Sequence, residues 1–164
     1  MLVYSPPIFA IIFLMSKCIL FIDGENLFHK VEEILKEGID KAAVDLASLD
    51  LNKLFREALK GFIISRKIFY VARLHLHPDT KKKSEGLIRA QRKLRNRLVG
   101  EGYEFVIAGN VRAQKVDRKV IFREKGVDVR ITVDLVSFAC DKKIDTAILL
   151  RNPEVVESLS KTAK

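Results

Sequence analysis

An uninterrupted apolar run at residues 17–23 (KCILFID) constrains the fold more than any other segment of the chain. A strand with one solvated face alternates apolar and polar residues, whereas a continuous apolar strand is buried on both faces. Strands of that kind belong to parallel sheets that are covered by helices on both sides. The run therefore predicts a central strand of an α/β domain, with Asp23 at its carboxyl end.

The rest of the chain alternates apolar runs with apolar residues at helical spacing, which predicts a three-layer, Rossmann-like α/β fold with a mainly parallel sheet. Within the third predicted helix, Leu87, Leu94 and Leu98 are expected to point inward. Besides the first strand, we predict main strands at residues 67–72, 103–108 and 145–150 and a short one at 119–122. The predicted helices cover residues 27–36, a segment from Ser48 or Asp50 to Lys60, and residues 81–99 and 127–140.

The positive charge is concentrated in the middle of the chain. The formal net charge is +9, and residues 66–125 alone hold 17 basic and 6 acidic side chains, a net +11. Such a block is either a solvated helix surface or a face that binds a polyanion, and the composition leaves both interpretations open. With 48% hydrophobic residues, the chain is able to bury a core, which excludes a disordered tail.

The two ends of the chain differ from its centre. The apolar run at residues 8–15 is shorter than the roughly 20 residues of a membrane span. We expect residues 1–14 to be an extension outside the fold, residues 15–150 to form one domain, and residues 151–164 to be an atypical tail. Cys18 and Cys140 lie far apart and form no disulfide framework, which favours a cytoplasmic location.

Three acids in apolar surroundings are candidates for a metal site: Asp23 ends the first strand, while Asp128 and Asp134 belong to the last predicted helix. Clustered carboxylates repel one another, and the oxygen-preferring cations Mg²⁺ and Mn²⁺ relieve that repulsion. Structural alternatives stay open, because Asp23 and Asp128 suit helix caps and Asp134 suits a pair with Arg130, four residues earlier.

Two complete motifs and a partial one resemble a known family. FIDGENL at residues 21–27 and KGVDVRITVD at residues 125–134 resemble motifs of the NYN domain, a LabA-like branch of the PIN-type ribonuclease superfamily. DTAILL at residues 145–150 is similar to the strand that in this family leads into a Ser-Gly-Asp-Ser-Asp loop. The resemblance covers residues 15–150 and implies a PIN-like fold with an acidic pocket at the strand ends, in a Mg²⁺- or Mn²⁺-dependent ribonuclease.

The resemblance also implies roles for individual residues. Asp23 would be the first metal ligand, Asn26 would fix it or contact substrate, and Asp128 and Asp134 would complete much of the acidic cluster. No membrane partner is expected, whereas the form of the RNA, single-stranded or structured, and a homo-oligomeric state stay open. The basic block would hold the RNA backbone through Lys81, Lys82, Lys83, Arg89, Arg92, Lys93, Arg97, Arg112, Lys115 and Arg118.

The chain departs from the family pattern after Leu150, where it reads Arg151-Asn152-Pro153-Glu154 instead of Ser-Gly-Asp-Ser-Asp. A cation thus stands where the family places ligating acids. We expect the domain to be truncated or to have lost part of its activity. The alternative is a catalytically inactive module that binds RNA or another protein.

Overall fold

The structure, a computed structural model, describes residues 17–38, 49–116 and 119–150. The expected extension and the expected tail lie outside these residues. Strands and helices alternate along the described chain, apart from one pair of consecutive helices and one pair of consecutive strands. In chain order they are β1 (Cys18–Asp23), α1 (Gly24–Gly38), α2 (Leu51–Ala58), β2 (Ile64–Arg73), α3 (Lys81–Gly100), β3 (Glu104–Val116), β4 (Lys119–Lys125), α4 (Val127–Cys140) and β5 (Thr146–Leu150).

The described strands form one sheet in the order β4-β3-β2-β1-β5. β1 pairs in parallel with β2 on one side and with β5 on the other, and β2 pairs in parallel with β3. All six residues of β1 are buried, as the continuous apolar run predicts. The carboxyl ends of β1, β2, β3 and β5 therefore point to the same edge of the sheet, called the carboxyl edge below.

Each face of the sheet packs against its own helices. Leu20 and Ile22 of β1 belong to a core cluster with apolar side chains of α1, α2 and α3. Ile19 and Phe21, which point to the opposite face, pack with Val127 of α4 in a second cluster. Because side chains alternate along a strand, Asp23 shares the face of Ile19 and Phe21, the face that α4 covers.

The α/β class and the order of the main elements are confirmed, and the overall arrangement is compatible with a PIN-like fold. The sheet is mixed, however, because the strand expected at residues 119–122 extends to Lys125 and pairs antiparallel with β3 as a hairpin. The first helix begins at Gly24 rather than at residue 27, since Asp23 supplies its cap. Of the two residues predicted to begin the second helix, Ser48 and Asp50, it is Asp50 that caps α2. Its side chain accepts a hydrogen bond from the Lys53 backbone at 2.9 Å.

Two basic elements project beyond the carboxyl edge. The Gln91 side chain donates to the Ala72 carbonyl at 2.9 Å, which places Gln91 level with the end of β2. The ten residues of α3 that precede Gln91 therefore extend about 15 Å beyond this edge, and they are the projecting part of α3. β3 likewise runs about 20 Å past Asn110, its last residue paired with β2 (opposite Arg73), and pairs there with β4. The prediction that Leu87 points into the core is wrong: it is 44% exposed, because it lies on the projecting part of α3.

The entry into α1 depends on a close backbone approach at Gly24. A Cβ at this position would lie 2.5 Å from the Phe69 ring and 2.9 Å from the Tyr70 carbonyl oxygen. Phe69 is fully buried, and the Tyr70 contact is with a backbone oxygen, which cannot give way as the end of a flexible side chain can. We therefore expect Gly24→Ala to lower the free energy of unfolding by about 2 kcal/mol through overpacking, measured by urea denaturation.

Gly86→Ala is the matched control for this substitution. Gly86 lies within α3, and a Cβ added there would meet no atom within 4 Å outside its own helical turn. Alanine there is expected to raise the free energy of unfolding by about 0.5–1 kcal/mol, because alanine favours helix more than glycine. Equal effects of the two substitutions would contradict the close approach at Gly24.

Candidate functional site

Asp23 is a buried acid at the end of the central strand, with only 2% of its surface exposed. Its two carboxylate oxygens accept hydrogen bonds from Asn26, one from the backbone N–H at 3.1 Å and one from the side-chain Nδ2 at 2.8 Å. The backbone bond is that of a helix N-cap, so the capping alternative for Asp23 is part of its role. Asn26 thus fixes the carboxylate at the carboxyl edge in one orientation.

The surroundings of Asp23 disfavour the ionised form of its carboxyl group. Burial raises the pKa of Asp23 above its ordinary value, the hydrogen bonds from Asn26 oppose that rise, and the negative charge of Asp128 adds to it. Asp23 and Asp128 therefore lie close enough to repel each other, although they are 105 positions apart in the chain. A buried acid with a second acid beside it is a typical arrangement of a cation-binding or catalytic site.

Asp128 reaches this position because the start of α4 lies directly against β3. Gly126 precedes the helix with a φ of 102°, and a Cβ on it would lie 3.2 Å from the Cα of Gly109. Glu124, rather than Asp128, accepts the backbone N–H of Val127 at 2.9 Å, so the N-cap alternative for Asp128 is wrong. Asp128 lies in the first turn, where the helix dipole favours a negative charge.

Asp134 has different partners from the other two acids. Its carboxylate accepts a hydrogen bond from the Tyr70 hydroxyl at 3.0 Å and two from Arg130 Nε at 2.9 Å. The pair with Arg130, which the sequence left as an alternative, is thus present. Burial, with Asp134 as a further cause, raises the pKa of Tyr70, so its hydroxyl stays protonated and donates to this acid.

The four predicted site residues are therefore brought together only in part. Asp23, Asn26 and Asp128 share the carboxyl edge. Asp134 lies on the same face of the sheet, where Tyr70 connects it to this edge, because Tyr70 is the partner of Asp23 in the register of β1 and β2. Within the residues that the structure describes, no group of three His, Cys, Asp or Glu side chains is placed to hold a metal ion.

The predicted basic residues lie mainly on the projecting elements. Lys81, Lys82, Lys83, Arg89, Arg92 and Lys93 are exposed on α3. Arg97 is half-buried, and its Nε lies 3.4 Å from a carboxylate oxygen of Glu101. Arg112 and Lys115 belong to the part of β3 that pairs with β4, and Arg118 lies outside the described residues.

Three residues of this region were not singled out in the sequence. Tyr70, Glu124 and Gly109 orient Asp134, the start of α4 and Asp128, respectively. Alternation along β2 gives the face of Tyr70, but its register with Asp23 depends on strand pairing. Nothing local in the sequence shows that Gly109 and Gly126 meet, since this contact joins β3 to α4.

The two kinds of acid are expected to respond oppositely to neutralisation. Asp23→Asn should raise the free energy of unfolding at pH 7, because it removes a buried charge and its repulsion by Asp128. Asp134→Asn should lower it by about 1 kcal/mol, because it weakens the bonds with Arg130 and Tyr70. Chemical denaturation of both variants at pH 7 measures the difference, and shifts of the same sign would contradict these assignments.

The pH dependence gives a second measurement on Asp23. Because its pKa is raised on folding, its contribution to stability is full below the unfolded value of about 3.9 and is lost as pH rises through the folded value. The stability gain from Asp23→Asn should therefore grow as pH rises from acid to neutral. A gain that is constant over this range would show that the carboxyl is not perturbed.

Comparison with known proteins matches the chain to one domain family. The sequence profile of the NYN domain matches residues 17–153, which is most of the chain and includes both complete motifs. No curated protein and no solved structure shows significant similarity to the chain. NYN domains belong to a PIN-like family of nucleases and nucleic-acid-binding proteins. In the described part of the chain, no helix is long and apolar enough to cross a membrane. The chain belongs to the NYN domain family.

Proposed function

We propose that this chain binds RNA through its basic elements and hydrolyses phosphodiester bonds slowly at the carboxyl edge, with Mg²⁺ or Mn²⁺ as cofactor. The observation that carries the proposal is the buried carboxylate of Asp23, oriented by Asn26 and repelled by Asp128. The cap bond stabilises the start of α1, but the burial of Asp23 and its repulsion by Asp128 cost stability, and a bound cation would remove that repulsion. The resemblance to the LabA-like branch supports the same reaction.

The side chains at this site offer carboxylate oxygens, the type of ligand that a hard divalent cation prefers. Asp23 and Asp128 supply two carboxylates, and a cation between them would remove the repulsion that raises the pKa of Asp23. Asp134 is engaged with Arg130 and Tyr70, so we propose it as a positioning residue for α4 rather than a direct ligand. Two carboxylates leave most coordination positions to water and phosphate, as is usual for Mg²⁺.

In the proposed reaction, different residues of the chain have different roles. When bound, the cation would activate a water molecule and stabilise the charge that develops on the phosphate. Asn26 holds the Asp23 carboxylate in place, so no rotation is required on substrate binding. The N-terminus of α4 adds positive dipole potential next to the phosphate. The exposed cations of α3 neutralise neighbouring phosphates along the strand.

We propose slow turnover because the sequence after Leu150 lacks the acids of the family. Arg151 would add a positive charge near the end of β5, the strand that pairs with β1. Both the missing carboxylates and this cation weaken the attraction for Mg²⁺. The second candidate function is a catalytically inactive RNA-binding or protein-interaction module, and the engagement of Asp134 with Arg130 favours it.

We also propose that the protein is cytoplasmic, and its assembly into a homo-oligomer stays a prediction. Both cysteines are free thiols, Cys18 buried and Cys140 exposed. An exposed free thiol is stable in a reducing compartment, where disulfides are rare.

RNA binding is expected to depend on the charges of α3. The double variant Arg89→Gln, Lys93→Gln should weaken the binding of a single-stranded oligonucleotide. It should also flatten the plot of log K against log salt by about 0.7 for each phosphate that is no longer neutralised. Fluorescence anisotropy with a labelled RNA over a range of salt concentrations measures both quantities.

The control removes the same charge elsewhere. Lys142 and Lys143 follow α4 at the opposite end of the domain, next to Lys17, and are exposed. Lys142→Gln, Lys143→Gln should leave the salt slope unchanged. Equal slopes for the two double variants would show that the RNA does not lie along α3.

Cleavage is expected to require the metal and Asp23. Replacing residues 151–155 by Ser-Gly-Asp-Ser-Asp should raise Mn²⁺-dependent cleavage of RNA by about tenfold or more, because changes around a metal typically alter activity about 10–100-fold. Asp23→Asn in this loop variant should abolish cleavage and leave RNA binding intact. Gel analysis of a labelled RNA with Mn²⁺ or with a chelator measures the rates. RNA binding without any cleavage by the loop variant would instead establish the inactive module.

A further inference from the structure

A cavity separate from the acidic site lies on the other face of the sheet. Its volume is about 360 Å³, and it is lined by Leu20 and Lys67 of the sheet together with α2 and the segment that follows α2. Leu20 and Lys67 are paired in register, three positions before the pair of Asp23 and Tyr70, which is about 10 Å along the strands. The cavity is on the face covered by α1, α2 and α3, whereas Asp23 faces α4.

All the charged residues that line this cavity are cationic, and its remaining polar side chain is the amide of Asn52. Arg56, Lys60 and Lys67 line it, and none of its lining residues is acidic. Within the described part of the chain, neither Arg56 nor Lys60 forms an ion pair. Three positive charges around one cavity repel each other, and an anion between them would remove that repulsion. The charge pattern therefore excludes a cationic ligand and favours an anionic one.

Lys67 is held rigidly at the inner side of this group. Its Nζ donates to Asn52 Oδ1 at 2.9 Å and lies 4.1 Å from the centroid of the Tyr103 ring. The hydroxyl of Tyr103 donates to the same Asn52 oxygen at 3.0 Å. Burial lowers the pKa of Lys67, and the charge of Glu101 opposes this effect. An ammonium group that has lost part of its hydration and cannot swing away is well prepared to bind phosphate.

The remaining lining is apolar and partly aromatic. Phe55, Leu59 and Phe62 line the cavity beside the cations. Phe62 is 54% exposed, although it is a large aromatic residue in a small domain. An exposed ring next to positive charges offers a stacking surface for a planar ring of an anionic ligand. The volume lies near the lower end of the roughly 300–1,000 Å³ of small-molecule sites.

We propose that this cavity binds a mononucleotide, with the phosphate at Arg56, Lys60 and Lys67 and the base against Phe62. A phosphate joined to a planar ring is the ligand chemistry that matches both halves of the lining. The proposal does not rest on RNA cleavage, because the cavity shares no residue with the acidic site or with the basic face of α3.

Isothermal titration calorimetry of the full chain with adenosine 5′-monophosphate, adenosine and inorganic phosphate tests this assignment. The monophosphate should bind at least about tenfold more tightly than either fragment, because each fragment contacts only half of the lining. Arg56→Gln, Lys60→Gln should weaken its binding about tenfold or more. Phe62→Ala should weaken it by about fivefold, the size of one stacking contact.

Two controls locate the binding. Lys53→Gln removes an exposed charge from α2 that does not line the cavity, and Arg89→Gln, Lys93→Gln removes charge from α3. Both variants should bind the monophosphate as the unmodified chain does. The proposal is overturned if the monophosphate does not bind at millimolar concentration, or if phosphate alone binds equally well and Phe62→Ala has no effect. It is also overturned if the Arg89→Gln, Lys93→Gln variant loses binding while the Arg56→Gln, Lys60→Gln variant keeps it.

Discussion

The buried charge of Asp23 is the constraint on which the rest of this structure depends. An ionised carboxylate is expensive to remove from water, and this one also faces the charge of Asp128. The domain tolerates it because β1 is buried along its whole length, pairs on both sides and packs against helices on both faces. The apolar burial of the strand provides the stability that the carboxylate at its end reduces.

The surroundings of Asp23 show how a fold places two like charges side by side. Asn26 satisfies both oxygens of Asp23 from within the first turn of α1, so one acid is fixed by its own neighbours. Asp128 is brought next to Asp23 by the packing of α4, which begins directly against β3 because Gly126 and Gly109 have no side chains. Further along α4, Asp134 is tied to the sheet through Tyr70, which fixes the helix in rotation as well as in position.

The positive charge is arranged around this acidic edge rather than on it. α3 and the hairpin of β3 and β4 extend past the carboxyl ends of the strands and carry much of the basic block. Basic elements that flank an acidic pocket attract a polyanion and leave the pocket itself suited to a cation. The cationic cavity beside α2 is a separate feature, since it lies on the opposite face of the sheet and about 10 Å from Asp23 toward the amino ends of the same strands.

The sequence by itself determined most of the elements and their order. A strand buried on both faces has a continuous run of apolar residues, and a helix with one buried face has apolar residues three to four positions apart. The sequence also located Asp23, Asn26 and Asp128 through motifs whose residues are close in the chain. Only the tertiary structure decided that Asp134 accepts a hydrogen bond from the Tyr70 hydroxyl and that Leu87 is exposed on the projecting part of α3. These outcomes depend on strand register and on where one element extends beyond another. Both are set by contacts between distant parts of the chain, which no local pattern encodes.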